Sequence, residues 1–274
     1  MSLDCKAFEG KIVPAAHHKT DDQQHVVLPD THWNDTDGKR IEAHAAGMLQ
    51  SPTDGRWYWF GESKKLDDSR DPHKYETQGV NCYSAATVAG PWKNEGQVLA
   101  QSDIVVPGAK PPWVVQRPKV IHNNETRKFV MYFHLDQPKH KEAGLQSRSD
   151  GYQFRRVGTA VAANPAGPYK FVRGFQPDGI PSLDMNLFRD PLDGQAYLIR
   201  DCEHQYVGIS RLSPDYLNST GIINKIPVSA NLRSGALFCG RLADAAALTT
   251  GLRRYGNAQA EQRNLLPHHL AQDW

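Results

Sequence analysis

The sequence predicts an all-β protein of the β-propeller type. Short runs of aromatic and β-branched residues, separated by Gly, Asn, Asp and Pro, dominate the chain up to about residue 225. Equivalent strands that begin at Trp57, Phe129 and Tyr197 are spaced about 70 residues apart. The segments AGPW (89–92) and AGPY (166–169) also recur, each closing a run typical of an outer strand. A four-stranded unit that repeats at this length is typical of a propeller blade, whereas a β-sandwich lacks the period.

The predicted strands follow one another along the chain, several of them as hairpin pairs. They are RWYWFGE (56–62), GVNCYSAA (79–86), RPKVIHN (117–123), KFVMYFHLD (128–136), SLDMNLF (182–188) and QAYLIRD (195–201). After Leu242 the chain is rich in Ala, Leu and Gln, which predicts helix or disorder. We therefore predict an N-terminal extension over 1–25, a propeller domain over 26–240 with blades one to three recognisable, and an atypical tail over 241–274.

Composition and charge give little support to several classes of function. The chain has 32 Lys and Arg against 30 Asp and Glu, with no basic stripe, so neither nucleic-acid nor membrane-surface binding is favoured. The first 25 residues contain no apolar run, which predicts neither a signal peptide nor a membrane span. A cytoplasmic location is the default, although a secreted protein would look the same after processing. The scattered cysteines, Cys5, Cys82, Cys202 and Cys239, favour free thiols over a disulfide framework or a zinc site.

Five motifs in order, between about Asp35 and Ile223, resemble glycoside hydrolase family 43. They are IEAHAAGMLQSPTDGRWYWFGES, GVNCYSAATVAGPW, QRPKVIHNNETRKFVMYFHLD, SLDMNLFRDPLDGQAYLI and LSPDYLNSTGII. The similarity is to the branch that contains galactan 1,3-β-galactosidases, or exo-β-1,3-galactanases. It implies a five-bladed propeller, incomplete here, with its active site at the axial opening. It also implies an oligo- or polysaccharide substrate, a monomer and no redox cofactor. A structural calcium ion is compatible with the resemblance, but the sequence shows no metal-ligand set.

The resemblance implies an inverting mechanism, in which one carboxylic acid protonates the leaving oxygen and another group activates a water. The segment SLDM is similar to the family's SRDM and implies that Asp184 orients the acid and raises its pKa. The alternative for Asp184 is a charge at a strand edge. Glu62, in FGES, is implied to face the substrate, although a glutamate in this context is commonly solvated. His44, in IEAHAAG, either binds sugar hydroxyls or is a buried structural histidine.

The second predicted blade departs from the family pattern at one position. The family has the sequence ERPKV, whereas this chain has QRPKV. Gln116 therefore keeps the hydrogen-bonding capacity of the glutamate but lacks its negative charge. Arg117 either holds a neighbouring carboxylate or makes a structural ion pair. His134 and Asp136, in FHLD, match an HxD pattern that lines the same opening, and we predict them to bind substrate.

The general acid is the main departure from the family. Where the family carries the glutamate of a REAPALF-like strand, this chain reads NLRSGALFCG (231–240), with Ser234 and Gly235. Glu203, in RDCEHQ, is the nearest remaining carboxylic acid and is predicted as a substitute. The sequence therefore predicts an inverting glycoside hydrolase with impaired activity on β-1,3-galactan or related β-galactosides. The alternative is a non-catalytic carbohydrate-binding pseudo-enzyme from a truncated or misread gene.

Overall fold

Three four-stranded antiparallel sheets make up the fold. The structure is a computed structural model that describes residues 31–64, 77–137 and 152–227. The first sheet contains β1 (His44–Gln50), β2 (Trp57–Lys64), β3 (Thr77–Ala85) and β4 (Lys93–Ala100). The second contains β5 (Val114–Asn123), β6 (Lys128–Asp136), β7 (Arg156–Ala162) and β8 (Lys170–Phe175). The third contains β9 (Met185–Arg189), β10 (Ala196–Cys202), β11 (Tyr206–Leu212) and β12 (Ser219–Pro227). Short 3₁₀ turns follow β4 (Gln101–Asp103) and β8 (Pro177–Gly179).

Each sheet is a meander in which strands adjacent in sequence are hydrogen-bonded neighbours. The all-β prediction is confirmed, and the repeat of about 70 residues corresponds to one four-stranded blade. The predicted extension over 1–25, the tail over 241–274 and the segment with Ser234 lie outside the described residues. The domain boundaries therefore stay predictions.

In each sheet a tight turn connects the first strand to the second, and these turns explain why the hairpins form where they do. Gly55 and Gly194 end the segments SPTDG and DPLDG and have φ angles of 72° in both cases. In each, the glycine N–H donates to a carbonyl four residues earlier, at 2.9 Å. This left-handed conformation favours glycine. Arg127, with φ of 54°, takes the corresponding place in the second sheet. There the Asn123 side chain accepts hydrogen bonds from two turn N–H groups and stabilises the turn.

The middle blade is buried on both of its faces, and β6 shows this most clearly. Phe129, Met131 and Phe133 belong to a core cluster shared with the first sheet. Val130 and Tyr132 point to the opposite face and belong to a cluster shared with the third sheet. Because side chains alternate between faces along a strand, burial of both faces requires a continuous apolar run. That requirement accounts for the sequence FVMYF.

The first strands of the three sheets lie next to one another. β5 is in contact with β1 on one side and with β9 on the other. At Gly47 the backbones approach so closely that a β-carbon would lie 2.6 Å from the Pro118 carbonyl oxygen. Only a residue without a side chain fits there. This packing brings the polar ends of the three inner strands together.

Gly47→Ala is expected to lower the free energy of unfolding by about 1–3 kcal/mol, because its methyl group would force β1 away from β5. Urea unfolding followed by tryptophan fluorescence would measure this change. Met48→Ala on the same strand is the control, since Met48 is exposed, and its effect should stay within about 0.5 kcal/mol. Equal stability of the Gly47→Ala variant and the native protein would show that the inner strands are not tightly packed here.

Two further sequence predictions concern the cysteines and the membrane. Cys82 and Cys202 are buried free thiols, as predicted, and burial raises the pKa of each. Cys5 and Cys239 lie outside the described residues. Within 31–64, 77–137 and 152–227, no helix has the length and apolar character needed to cross a membrane.

Candidate active site

The polar residues predicted for the site occupy equivalent places in the three blades. In an antiparallel hairpin the start of the first strand lies beside the end of the second. The register accordingly pairs His44 with Glu62 and Gln116 with His134. In the third blade the Asp201 N–H donates to the Asp184 carbonyl at 2.8 Å. Since β5 contacts both β1 and β9, these three positions lie at the same end of the inner strands.

The first two inner strands each begin with a β-bulge. The register shifts between His44 and Gly47 in β1, and between Gln116 and Lys119 in β5. Ala45, with φ of 51°, and Arg117, with φ of 55°, follow His44 and Gln116 at these bulges. Bulges commonly lie next to active sites, where they change the direction of a side chain. Here they set the positions of His44 and Arg117.

Glu62 is a buried carboxylate surrounded by donors. Its side chain is 1% exposed; His44 Nδ1 lies 3.1 Å and Lys64 Nζ 2.6 Å from Oε2. The Arg117 backbone N–H donates to Oε1 at 3.1 Å. Burial by itself raises the pKa of Glu62, but the hydrogen bond with His44 and the Lys64 charge outweigh it and lower the pKa. Glu62 is therefore ionised near neutral pH, and His44 contacts it rather than lying in a core.

Arg117 joins the first blade to the third. Its backbone N–H contacts Glu62, and its guanidinium Nε pairs with Asp184 Oδ1. Asp184 precedes β9, so its side chain is a strand-end carboxylate held by a cation. Of the two alternatives for Arg117, the structure shows an ion pair with a carboxylate predicted for the site. Arg117 of β5 therefore lies between the Glu62 and Asp184 carboxylates and contacts both.

Gln116 and His134 are linked through Tyr152. The Tyr152 hydroxyl donates to Gln116 Oε1 at 2.7 Å, and its ring meets the His134 ring edge-on, with centroids 4.7 Å apart. Gln116 and His134 are both buried. Because Tyr152 takes the amide oxygen, Gln116 is left to offer its amide N–H groups as donors. The Gln116 side chain is therefore held in a fixed orientation.

Asp136 is fully buried and accepts hydrogen bonds on both oxygens. The backbone N–H groups of Gln137, Gln153, Phe154 and Arg155 donate to it at 2.6 to 2.8 Å. His134 Nε2 lies 3.2 Å from Oδ2. Burial tends to raise the pKa of Asp136, but the contacts with His134 and the backbone lower it overall. Sugar contact by Asp136 stays a prediction, while its geometry gives it a supporting role for His134 and for the segment 152–155.

Glu203 reaches the site through Arg155. The Arg155 Nη1 pairs with Glu203 Oε2, while the Arg155 carbonyl accepts the Ser182 N–H at 2.9 Å. Glu203 follows β10 in a left-handed conformation, with φ of 58°. The ion pair with Arg155 engages a carboxyl oxygen that a general acid would direct at the leaving oxygen, so this contact competes with the role predicted for Glu203.

Similarity to solved structures decides the family of this chain. An exo-β-1,3-galactanase from Phanerochaete chrysosporium, solved with β-1,3-galactotriose, is 32% identical over 72% of this chain, with a TM-score of 0.58. An exo-β-1,3-galactanase from Clostridium thermocellum is 29% identical over 75% of this chain, with a TM-score of 0.60. A family 43 β-1,3-galactosidase with galactodeoxynojirimycin is 31% identical over 70%, with a TM-score of 0.54. The chain belongs to glycoside hydrolase family 43.

The family 43 propeller type is thus confirmed as the fold class. The chain spans 41% and 42% of the two exo-galactanases and 64% of the β-1,3-galactosidase. No model of a known protein family matches it, and no curated protein does either. In the described part of this family 43 chain, no group of three or more His, Cys, Asp or Glu side chains could hold a metal ion.

All eight predicted site residues of this family 43 chain belong to one network of contacts. His44, Glu62, Arg117 and Asp184 form one half. Gln116, His134, Asp136 and Glu203 form the other, and the peptide bond between Gln116 and Arg117 joins the halves.

Sequence reasoning missed three residues of this network, namely Lys64, Tyr152 and Arg155. Lys64 could have been found, because it follows Glu62 by two positions in a strand and so lies on the same face. Tyr152 and Arg155 lie between the motifs that carry the resemblance and have no comparable signal in the sequence.

Proposed function

We propose that this chain is a glycoside hydrolase that removes galactose from β-1,3-galactan or related β-galactosides by an inverting mechanism. The observation that carries the proposal is the network that brings Glu62, Asp184, Gln116 and His134 to one end of three inner strands. The similarity to galactanases and galactosidases supports a galactoside as the substrate.

The charges of the site suit a glycosidic transition state. Positive charge develops on the sugar ring as the glycosidic bond breaks, and a carboxylate beside it lowers the barrier. Asp184 and the ionised Glu62 supply negative charge, and Arg117 fixes their relative position. We propose that the Gln116 amide and the His134 imidazole hydrogen-bond sugar hydroxyl groups. An uncharged amide there selects hydroxyl acceptors without adding charge.

The acid step is the weak part of this site. Glu203 is the carboxyl group proposed to protonate the leaving oxygen, and its Oε2 is engaged in an ion pair with Arg155. We therefore propose that turnover is slow. Glu62 is ionised and so is not suited to donate a proton, and Asp184 is engaged by Arg117.

The test is release of galactose from β-1,3-galactobiose and β-1,3-galactotriose, with β-1,4-galactobiose as the matched substrate. We expect slow release from the β-1,3 compounds only, and proton NMR should detect the α-anomer of galactose first, because inversion converts a β-linkage into α-galactose. Appearance of the β-anomer first would overturn the inverting mechanism. Binding of galactobiose by calorimetry without any turnover would leave a carbohydrate-binding protein. The absence of both binding and turnover would reject the proposed function.

A further inference from the structure

Lys119 lies where the first and second inner strands meet, and its ammonium contacts both bulges. Nζ donates to the carbonyl oxygens of Ala45 at 3.1 Å, Ala46 at 3.0 Å and Pro118 at 3.3 Å. An ammonium group has three N–H donors. Each of them therefore has an acceptor on the bulged backbone, two in β1 and one in β5.

The backbone that Lys119 contacts carries the residues that orient the carboxylates. His44 directly precedes Ala45, and its imidazole lies 3.1 Å from Glu62. Arg117 directly precedes Pro118, and it contacts both Glu62 and Asp184. A movement of either bulge would move a group that touches Glu62.

The two bulges need such an external contact. Ala45 and Arg117 are non-glycine residues with φ angles of 51° and 55°. Residues in this sparsely populated region persist only where the surrounding structure fixes them. The interrupted register leaves these strand segments without regular ladder partners. Lys119 provides a contact that spans both.

The positive charge of Lys119 also interacts favourably with the carboxylates of Glu62 and Asp184. Burial lowers its pKa to about 8 and the Arg117 charge adds to this, while Glu62 and Asp184 oppose the shift. The ammonium is therefore still mostly protonated at neutral pH. It adds a third cation beside Glu62 and Asp184, together with Arg117 and Lys64.

We propose that Lys119 is a positioning residue for the galactoside site: it ties the β1 and β5 bulges together, and so fixes His44 and Arg117 against Glu62 and Asp184. The proposal deepens the proposed function and rests on it for the role in galactoside turnover. Lys119 does not touch the substrate in this scheme. It acts through the backbone of its neighbours.

Lys119→Met tests the proposal, because methionine keeps the length of the side chain and removes its donors and charge. We expect kcat/KM for β-1,3-galactobiose to fall about 10- to 100-fold, since small displacements of positioned groups have effects of that size. The matched control is Asn123→Ala at the other end of β5. Asn123 is also buried and makes three hydrogen bonds, to Pro214, Glu125 and Thr126. This variant should lose stability and keep kcat/KM within about twofold.

A second measurement does not depend on the galactoside. Hydrogen exchange should become about tenfold faster at the Arg117 amide, which donates to Glu62, in Lys119→Met but not in Asn123→Ala. Unchanged exchange at Arg117, or an equal loss of kcat/KM in both variants, would overturn the proposal. If the native protein neither binds nor cleaves galactosides, the proposed function fails. The exchange experiment then still decides whether Lys119 fixes the bulges.

Discussion

Asp136→Ala is expected to lower the free energy of unfolding by about 3–5 kcal/mol, the typical cost of leaving a buried charge network without its acceptor. Four backbone N–H groups and the His134 ring nitrogen lose their partner in this variant. The segment 152–155 would detach from β6, and Tyr152 and Arg155 would leave the site with it. Urea unfolding followed by tryptophan fluorescence would measure the loss.

Asp215→Ala is the matched control for Asp136→Ala. Asp215 also accepts side-chain and backbone hydrogen bonds, from Ser213 and Leu217, but in an exposed turn. Its replacement should cost less than about 1 kcal/mol. Similar losses in the two variants would show that Asp136 does not anchor the segment 152–155.

The contribution of Asp136 should also depend on pH in a defined direction. Its pKa is lower in the folded protein than in the unfolded chain, where it is about 3.9. The stability it provides is therefore present above that unfolded value and is lost as the pH falls through the folded pKa. The difference in unfolding free energy between the native protein and Asp136→Asn should accordingly shrink below about pH 4. A difference that stays constant down to pH 2 would contradict this.

Asp184→Asn is expected to reduce galactose release from β-1,3-galactobiose about 10²- to 10⁴-fold, mainly in kcat, the range typical of a group acting in the transition state. The amide cannot keep the ion pair with Arg117 or stabilise the positive charge that develops on the sugar ring. Asp193→Asn is the control, since Asp193 lies in the exposed β9–β10 turn of the same blade. An Asp184→Asn variant with native kcat would leave Asp184 as a strand-edge charge only.

Glu203→Gln completes this series because it removes the proposed acid and keeps the size of the side chain. We expect kcat/KM for β-1,3-galactobiose to fall about 10²- to 10⁴-fold, the range typical of a general acid. Robust turnover unaffected by Glu203→Gln would place the acid elsewhere, and the segment 231–240 would then need a different interpretation.

Much of the fold followed from local patterns. The run FVMYF predicted the strand β6. The structure shows why this apolar run is continuous, since both faces of β6 are buried. The segments SPTDG and DPLDG predicted the hairpin turns, because a left-handed position there favours glycine. The placement of Glu62, His134 and Asp184 at strand ends could also be predicted from the sequence. Antiparallel pairing then brings the start of one strand beside the end of the next.

The roles of the individual carboxylates were decided only by the tertiary structure. Whether a carboxyl group is ionised depends on its neighbours in space, and Glu62 takes them from β1, β2 and β5. Asp136 matched a motif for the opening, yet the segment 152–155, which precedes β7, surrounds it with backbone donors that lie 17 to 19 positions further along the chain. Lys119 was visible within RPKV, but its function depends on the carbonyl groups of a bulge in β1 more than 70 positions away. Strand periodicity and turn chemistry are local and can therefore be predicted from the sequence. The contacts of Glu62 with Arg117 and of Lys119 with Ala45 join two blades, so they exist only once the sheets have packed.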